Sequence, residues 1–216
     1  MKYLTWRHWT LLAGLFFLGT ATVNVNAADI QAGKDYAVVS PTVPVETGKN
    51  IEVVELFWYG CPHCFDLEPE LAQWVKKLPK NVQFRRMPAP LRDTWVPLAK
   101  TFYAEEALGV TDKLHADIFN AIHLQGLNLN DQNVLAEFVA KEGVDSNKFM
   151  AAYRSFGVKS QVEQARAKAL AYGATGVPTL IVDGKYRTDG IMAGKNIFKV
   201  LDQLIKRAKA ERAVKG

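Results

Sequence analysis

One pair of cysteines, Cys61 and Cys64, with only Pro62 and His63 between them, limits what this chain can fold into more than any other feature. Residues 51–59 precede the pair and read Ile-Glu-Val-Val-Glu-Leu-Phe-Trp-Tyr. That run is rich in β-branched and aromatic side chains and predicts a buried strand, which Gly60 ends. From Phe65 onward, Leu67, Leu71, Trp74, Val75 and Leu78 recur at helical spacing. The chain must therefore pass from strand to helix across the cysteines. Cys61 then falls near the helix N-cap. Pro62 falls at the first helical position, where its missing N–H costs nothing.

The chemistry of the pair follows from that placement. A disulfide closing so short a loop restricts the unfolded chain little, so a structural staple is a poor explanation and a reversible redox pair a good one. Zinc sites share the Cys-x-x-Cys spacing but need about two further Cys or His ligands. The chain has no other cysteine, and its other histidines are His8, His115 and His123, so no metal is expected. The reactive species is the thiolate. Unpaired N–H groups and the positive dipole end at a helix start stabilise a negative sulfur, and His63 adds a hydrogen bond or partial positive charge. Stabilising Cys61 as a thiolate favours the reduced protein and makes the disulfide easier to give away. Cys64, one turn further in, is expected to be the more buried partner.

The N-terminus places the chain in an oxidising compartment. Lys2 and Arg7 precede a short apolar run, 11–18, and small residues lead to Ala27. This is the order of a cleavable secretory signal peptide, with the cut after Ala27. The run is too short to span a membrane, and no cysteine stands at the cut to carry a lipid. Loss of residues 1–27 leaves 189 residues, enough for one sizeable core. The formal charge falls from +5 to +3 with Lys2 and Arg7, and acids and bases are interspersed, so no nucleic-acid partner is expected. The basic run Lys206-Arg207-Ala208-Lys209 reads as a solvated helix end.

Further along, residues 36–40 read as a first strand and 82–87 as a strand following the cysteine helix, a βαβ pattern. Residues 95–172 carry five helical runs, taken as core packing. Asn130-Asp131 and Asp145-Ser146 start two of them, and Gly109 and Gly173 end two. Strand 179–182 meets Asp183-Gly184, a strong hairpin signal. A second strand follows at 185–188, and a closing helix runs through Ile205. His115 and His123 lie in or beside the helical runs and are assigned no role. Phe57, Trp58 and Tyr59 adjoin the cysteines as core or as an apolar surface for clients.

Glu55-Leu56-Phe57, Cys61-Pro62-His63-Cys64 and the distant Gly176-Val177-Pro178-Thr179 together resemble the DsbA family of periplasmic thiol:disulfide interchange proteins, within the thioredoxin superfamily. The resemblance implies an α/β fold, a thioredoxin domain at 28–94 and 174–216 with an all-helical domain inserted at 95–173. It implies that Pro178 is cis and faces the disulfide, leaving the Val177 backbone free to pair with an extended client. It implies that Glu55 is a buried acid exchanging a proton near Cys64, with a raised pKa from desolvation. The family often places a lysine beside this acid, and Lys80 is a loose candidate. The implied partners are newly exported cysteine-containing polypeptides and a membrane quinone-linked oxidase of the DsbB type, with no cofactor and a monomeric state. Two alternatives stay open: a disulfide isomerase or reductase, and a non-catalytic folding helper. The short stretch before the first strand leaves little room for the separate dimerisation domain that isomerases of this superfamily usually carry.

Overall fold

The computed structural model describes residues 30–215; the expected signal peptide lies outside the described residues. A five-stranded sheet is the frame. Its strands are β1 (Ala37–Val38), β2 (Ile51–Phe57), β3 (Val82–Pro88), β4 (Thr179–Val182) and β5 (Tyr186–Asp189), in the order β1-β5-β4-β2-β3. β2 lies inside the sheet, parallel to β3 and antiparallel to β4. All seven of its residues are buried. That explains why its sequence is almost continuously apolar rather than alternating, since helices cover both faces.

Helix α1 (Pro62–Val75) joins β2 to β3 and completes the βαβ unit. Five helices then separate β3 from β4: α2 (Val96–Leu108), α3 (Thr111–His123), α4 (Gln132–Lys141), α5 (Ser146–Arg154) and α6 (Phe156–Ala171). The starts of α4 and α5 and the end of α2 carry the signals read in the sequence, and the Ser155 cap of α6 adds one that was not read there. Asp131 accepts the N–H of Asn133 at 2.8 Å, Asp145 that of Lys148 at 3.1 Å, and Ser155 that of Val158 at 3.1 Å. Each satisfies an orphan donor of a first turn. Gly109 closes α2 in the left-handed region at φ 66°. After the β4–β5 hairpin come a short helical turn, α7 (Gly190–Ala193), and the long α8 (Ile197–Lys215).

The two faces of the sheet belong to two cores. Val54, Leu56 and Ile181 pack with Phe102, Phe119 and Phe149 of the helical layer and with both cysteines. Ile51, Val53, Leu180 and Val182 pack with Val200, Leu201 and Leu204 of α8 and with Leu67 and Trp74 of α1. The strands thus send alternate residues to opposite sides. At the hairpin, Asp183 (φ 54°) and Gly184 (φ 64°) both adopt left-handed backbone, as this two-residue turn requires. A side chain at Gly184 would overlap the Val43 carbonyl oxygen.

Two expectations change. The basic run at 206–209 lies within α8 rather than at its end, and Ala208 is fully buried. Arg207 bonds to the Tyr36 hydroxyl and lies over the Tyr36 ring at 5.1 Å, so it fastens α8 to the start of the described chain. The first strand is shorter than its run of residues, being held by β5 only at Ala37 and Val38.

Candidate active site

Cys61 is the N-cap of α1, with extended backbone (φ −90°, ψ 116°) and Pro62 directly inside the helix. Its N–H donates to the Trp58 carbonyl at 2.9 Å, which closes the turn from β2 and aims the sulfur at the helix start. Both cysteines are free thiols and both are buried. The Cys61 thiol is made more acidic, its pKa pulled from the ordinary 9 down to about 6. The hydrogen bond from the Cys64 thiol contributes most. Burial opposes it, and the backbone N–H groups of Cys64 and His63 and the charge of His63 add to it. Cys64 moves the other way. Burial raises it well above the usual thiol range, and Cys61 and Glu55 raise it further. Two sulfurs three residues apart are thereby made unlike: one is stable as an anion, the other as a thiol.

The Val177–Pro178 peptide is cis. The Val177 carbonyl lies 3.5 Å from the Cys61 sulfur, so the loop before β4 stands against the dithiol although it is over a hundred residues away in sequence. A cleft of about 530 Å³ lies beside this loop, lined by His63, Leu67, Val177, Pro178, Ile191 and Ile197. A second, of about 510 Å³, is lined by Cys61, Trp58, Trp95, Leu91 and Leu170. Trp58 is stacked on Trp95 there, with ring centroids 4.5 Å apart. Phe57 and Tyr59, by contrast, are buried in the core.

Glu55 lies on β2, completely buried, and neither carboxyl oxygen accepts a hydrogen bond. Burial raises it from the usual carboxylate range to about 8, Glu68 and Cys61 raise it further, and Arg86 holds it down. Arg86 Nε is 3.3 Å from Glu55 Oε2. Lys80 is exposed in the turn before β3; the cation beside Glu55 is Arg86, its register partner on β3. The sequence places the start of β3 at Val82, but it does not give the register against β2 that sets Arg86 opposite Glu55.

The residues that sequence reasoning missed form a buried chain behind Glu55. Arg86 clasps Glu68 with two hydrogen bonds, Nε to Oε1 at 3.2 Å and Nη2 to Oε2 at 2.8 Å. His115 Nε2 lies 3.1 Å from Glu68 Oε1. On the other side of that ring, Nδ1 lies 2.7 Å from the Tyr59 hydroxyl. The same hydroxyl is 3.0 and 2.9 Å from the two carboxyl oxygens of Glu105, itself fully buried on α2. His123 Nε2 lies 2.8 Å from the Tyr59 carbonyl, and its ring stacks on Phe65. In sequence these side chains come from the turn after β2 and from α1, β3, α2 and α3, and no local spacing links them.

A thioredoxin-type sheet with a helical layer, and a dithiol at a helix start facing a cis-proline loop, define a thiol–disulfide oxidoreductase. Comparison with known proteins narrows the class. The family model for the DSBA-like thioredoxin domain matches residues 96–206. The thiol:disulfide interchange protein DsbA of Azotobacter vinelandii is 46% identical over 204 residues, covering 93% of this chain and 95% of that protein. The crystal structure of Pseudomonas aeruginosa DsbA superposes with a TM-score of 0.82 at 43% identity, covering 87% of this chain and 98% of that one. The oxidoreductase NmDsbA1 of Neisseria meningitidis superposes with a TM-score of 0.76 at 26% identity, covering 86% and 97%. The chain belongs to the DsbA family.

Proposed function

We propose that this chain is a periplasmic oxidase that hands the Cys61–Cys64 disulfide to newly exported polypeptides. The observation that carries the reading is the opposed acidity of the two sulfurs, Cys61 drawn down to about 6 and Cys64 driven up. A client thiolate attacks Cys61 Sγ, the Cys61–Cys64 bond breaks, and Cys64 leaves with the electron pair. As a high-pKa sulfur it is a poor leaving group, and the proton it needs comes from Glu55, which holds one up to about pH 8. The client's second thiolate then attacks the client sulfur of the mixed disulfide, and Cys61 leaves as a stable thiolate. Two electrons pass from the client to the enzyme, and the client gains a disulfide.

The remaining residues take supporting roles. Pro62 fixes the first helical turn, and His63 adds positive charge beside the Cys61 sulfur. The Val177 backbone, exposed by Pro178, pairs with an extended client through main-chain groups, which tolerates many client sequences. The enzyme acts as a monomer after loss of a signal peptide ending at Ala27. It is reoxidised by a membrane quinone-linked oxidase of the DsbB type. Among the described residues no helix is long and apolar enough to cross a membrane.

Equilibration with glutathione tests the direction of transfer. A donor is reduced already in weakly reducing buffer, whereas a protein that stays oxidised in strongly reducing buffer is a reductase or a staple. Cys64→Ala separates enzyme from folding helper. It should accumulate mixed disulfides with client proteins at Cys61, and client affinity without covalent capture would favour the helper.

A further inference from the structure

The chain Glu105–Tyr59–His115–Glu68 is buried up to its half-buried end at Glu68, crosses from the helical layer to the active-site helix, and has no part in the exchange chemistry above. Its proton arrangement follows from the contact distances together with which of its groups burial and ion pairing leave charged. The charge-bearing end is Glu68, clasped by Arg86 at 3.2 and 2.8 Å. Burial would raise its pKa, but the bonds from His115 and Arg86 outweigh burial and hold it below the usual carboxylate range. An ionised carboxylate only accepts. The His115 Nε2 atom at 3.1 Å must therefore carry a hydrogen and donate it.

The other ring nitrogen follows. Burial disfavours the imidazolium and lowers His115, so a ring with hydrogen on Nε2 leaves Nδ1 bare. Nδ1 must accept, and the group 2.7 Å away is the Tyr59 hydroxyl. That hydroxyl has one hydrogen and spends it on His115. Its contacts at 3.0 and 2.9 Å to Glu105 then require the tyrosine oxygen to accept. Glu105 must donate, which a carboxyl does only when protonated. Burial and the neighbouring Glu106 raise Glu105, which favours that protonated form, and no cation pairs with it among the described residues. Every hydrogen in the chain thus points the same way, from Glu105 towards Glu68.

We infer that Glu105, Tyr59 and His115 form a one-way hydrogen-bond relay that keeps Glu68 ionised beside Glu55, and that they are positioning residues for the proton step of disulfide donation. The inference rests on Glu55 being the proton donor to Cys64. An ionised Glu68 disfavours a second negative charge on Glu55, and it occupies the guanidinium that would otherwise belong to Glu55 alone. The groups facing Glu55 are Glu68, Cys61 and Cys64 from α1 and Arg86 from β3. Those facing His115 are Tyr59 after β2, Glu68 from α1, Arg86 from β3 and Asp112 on its own helix.

Nitrogen NMR on the full-length reduced protein tests the relay without any variant. His115 should be neutral near pH 7 with its hydrogen on Nε2 and an unprotonated, hydrogen-bonded Nδ1. An imidazolium, or a hydrogen on Nδ1, overturns the proposal. Infrared spectra should show a protonated-carboxyl band that Glu105→Gln removes; a spectrum in which that substitution removes only a carboxylate band overturns it equally. Kinetics test the consequence. The rate at which a dithiol peptide reduces the enzyme, divided by the rate for Glu55→Gln, should fall through a midpoint near pH 8. In His115→Phe, Glu68 loses a donor and becomes easier to protonate, so the midpoint should drop by roughly one pH unit. A flat ratio in the unsubstituted enzyme sinks the role of Glu55, while a midpoint that His115→Phe leaves in place sinks the relay. If His115→Phe does not fold, the nitrogen and infrared spectra decide.

Discussion

At Cys61 burial and hydrogen bonding pull in opposite directions, and the hydrogen bonds win. Transfer of a sulfur out of water disfavours its anion, yet donors from Cys64 and His63 converge on it and bring it to about 6. Cys64 lacks that convergence, and burial dominates it. Alkylation of the reduced protein should therefore modify Cys61 alone, with a rate that rises through a midpoint near pH 6. A midpoint at the free-cysteine value would remove the basis for oxidant behaviour. The same shift governs stability. The folded-state value lies below the unfolded one, so the contribution is present at high pH and is lost as pH falls through about 6. Between pH 6 and 8 the reduced form should gain stability over the oxidised form, as read by denaturant titration of each. Glu55 is shifted upward, which costs stability as pH rises, but it is present in both redox forms and largely cancels in that comparison.

Among the elements, the β4–β5 hairpin shows how distant segments can fix one turn. Its first strand follows Pro178 directly, and the turn closes the far end of that strand. Asp183 is buried and is clasped by Arg212 of α8 and by Lys185 at 3.1 Å. Gly184 combines left-handed backbone with contact against Val43, whose N–H donates to its carbonyl at 3.0 Å. Gly184→Ala should destabilise the protein by about 2 kcal/mol or more, from backbone strain plus overlap with Val43. The denaturant midpoint would show it, and an unchanged midpoint would mean that the Val43 segment moves aside freely.

For the molecule as a whole, the helical layer and the sheet share one apolar core. Phe119 of α3 packs with Phe57, Tyr59 and Phe65, with ring centroids 4.9 to 6.2 Å apart, and Tyr59 stands two residues before Cys61. A layer so joined should not unfold separately from the sheet. Phe119→Ala should lower global stability by about 3–5 kcal/mol. Tryptophan fluorescence and far-ultraviolet dichroism should still report a single coincident transition. Two separated transitions would show that the helices between β3 and β4 fold as an independent unit.

The local features were legible in the sequence because local chemistry imposes them. Cys61 and Pro62 specify a helix start, Asp131 and Asp145 specify caps, and Asp183-Gly184 specifies a tight turn; each acts within a few residues. The alternation of β4 side chains between the two cores follows from its period of two in the same way. What only the tertiary structure decided are the contacts made across elements. Arg86 rather than Lys80 faces Glu55 because strand register, not sequence distance, places it. His115, unremarkable on its helix, becomes a bridge between Tyr59 and Glu68 only when α3 packs over the end of β2. Buried charges are set by partners drawn from distant parts of the chain, and a linear sequence does not record which partners the fold brings within hydrogen-bond reach.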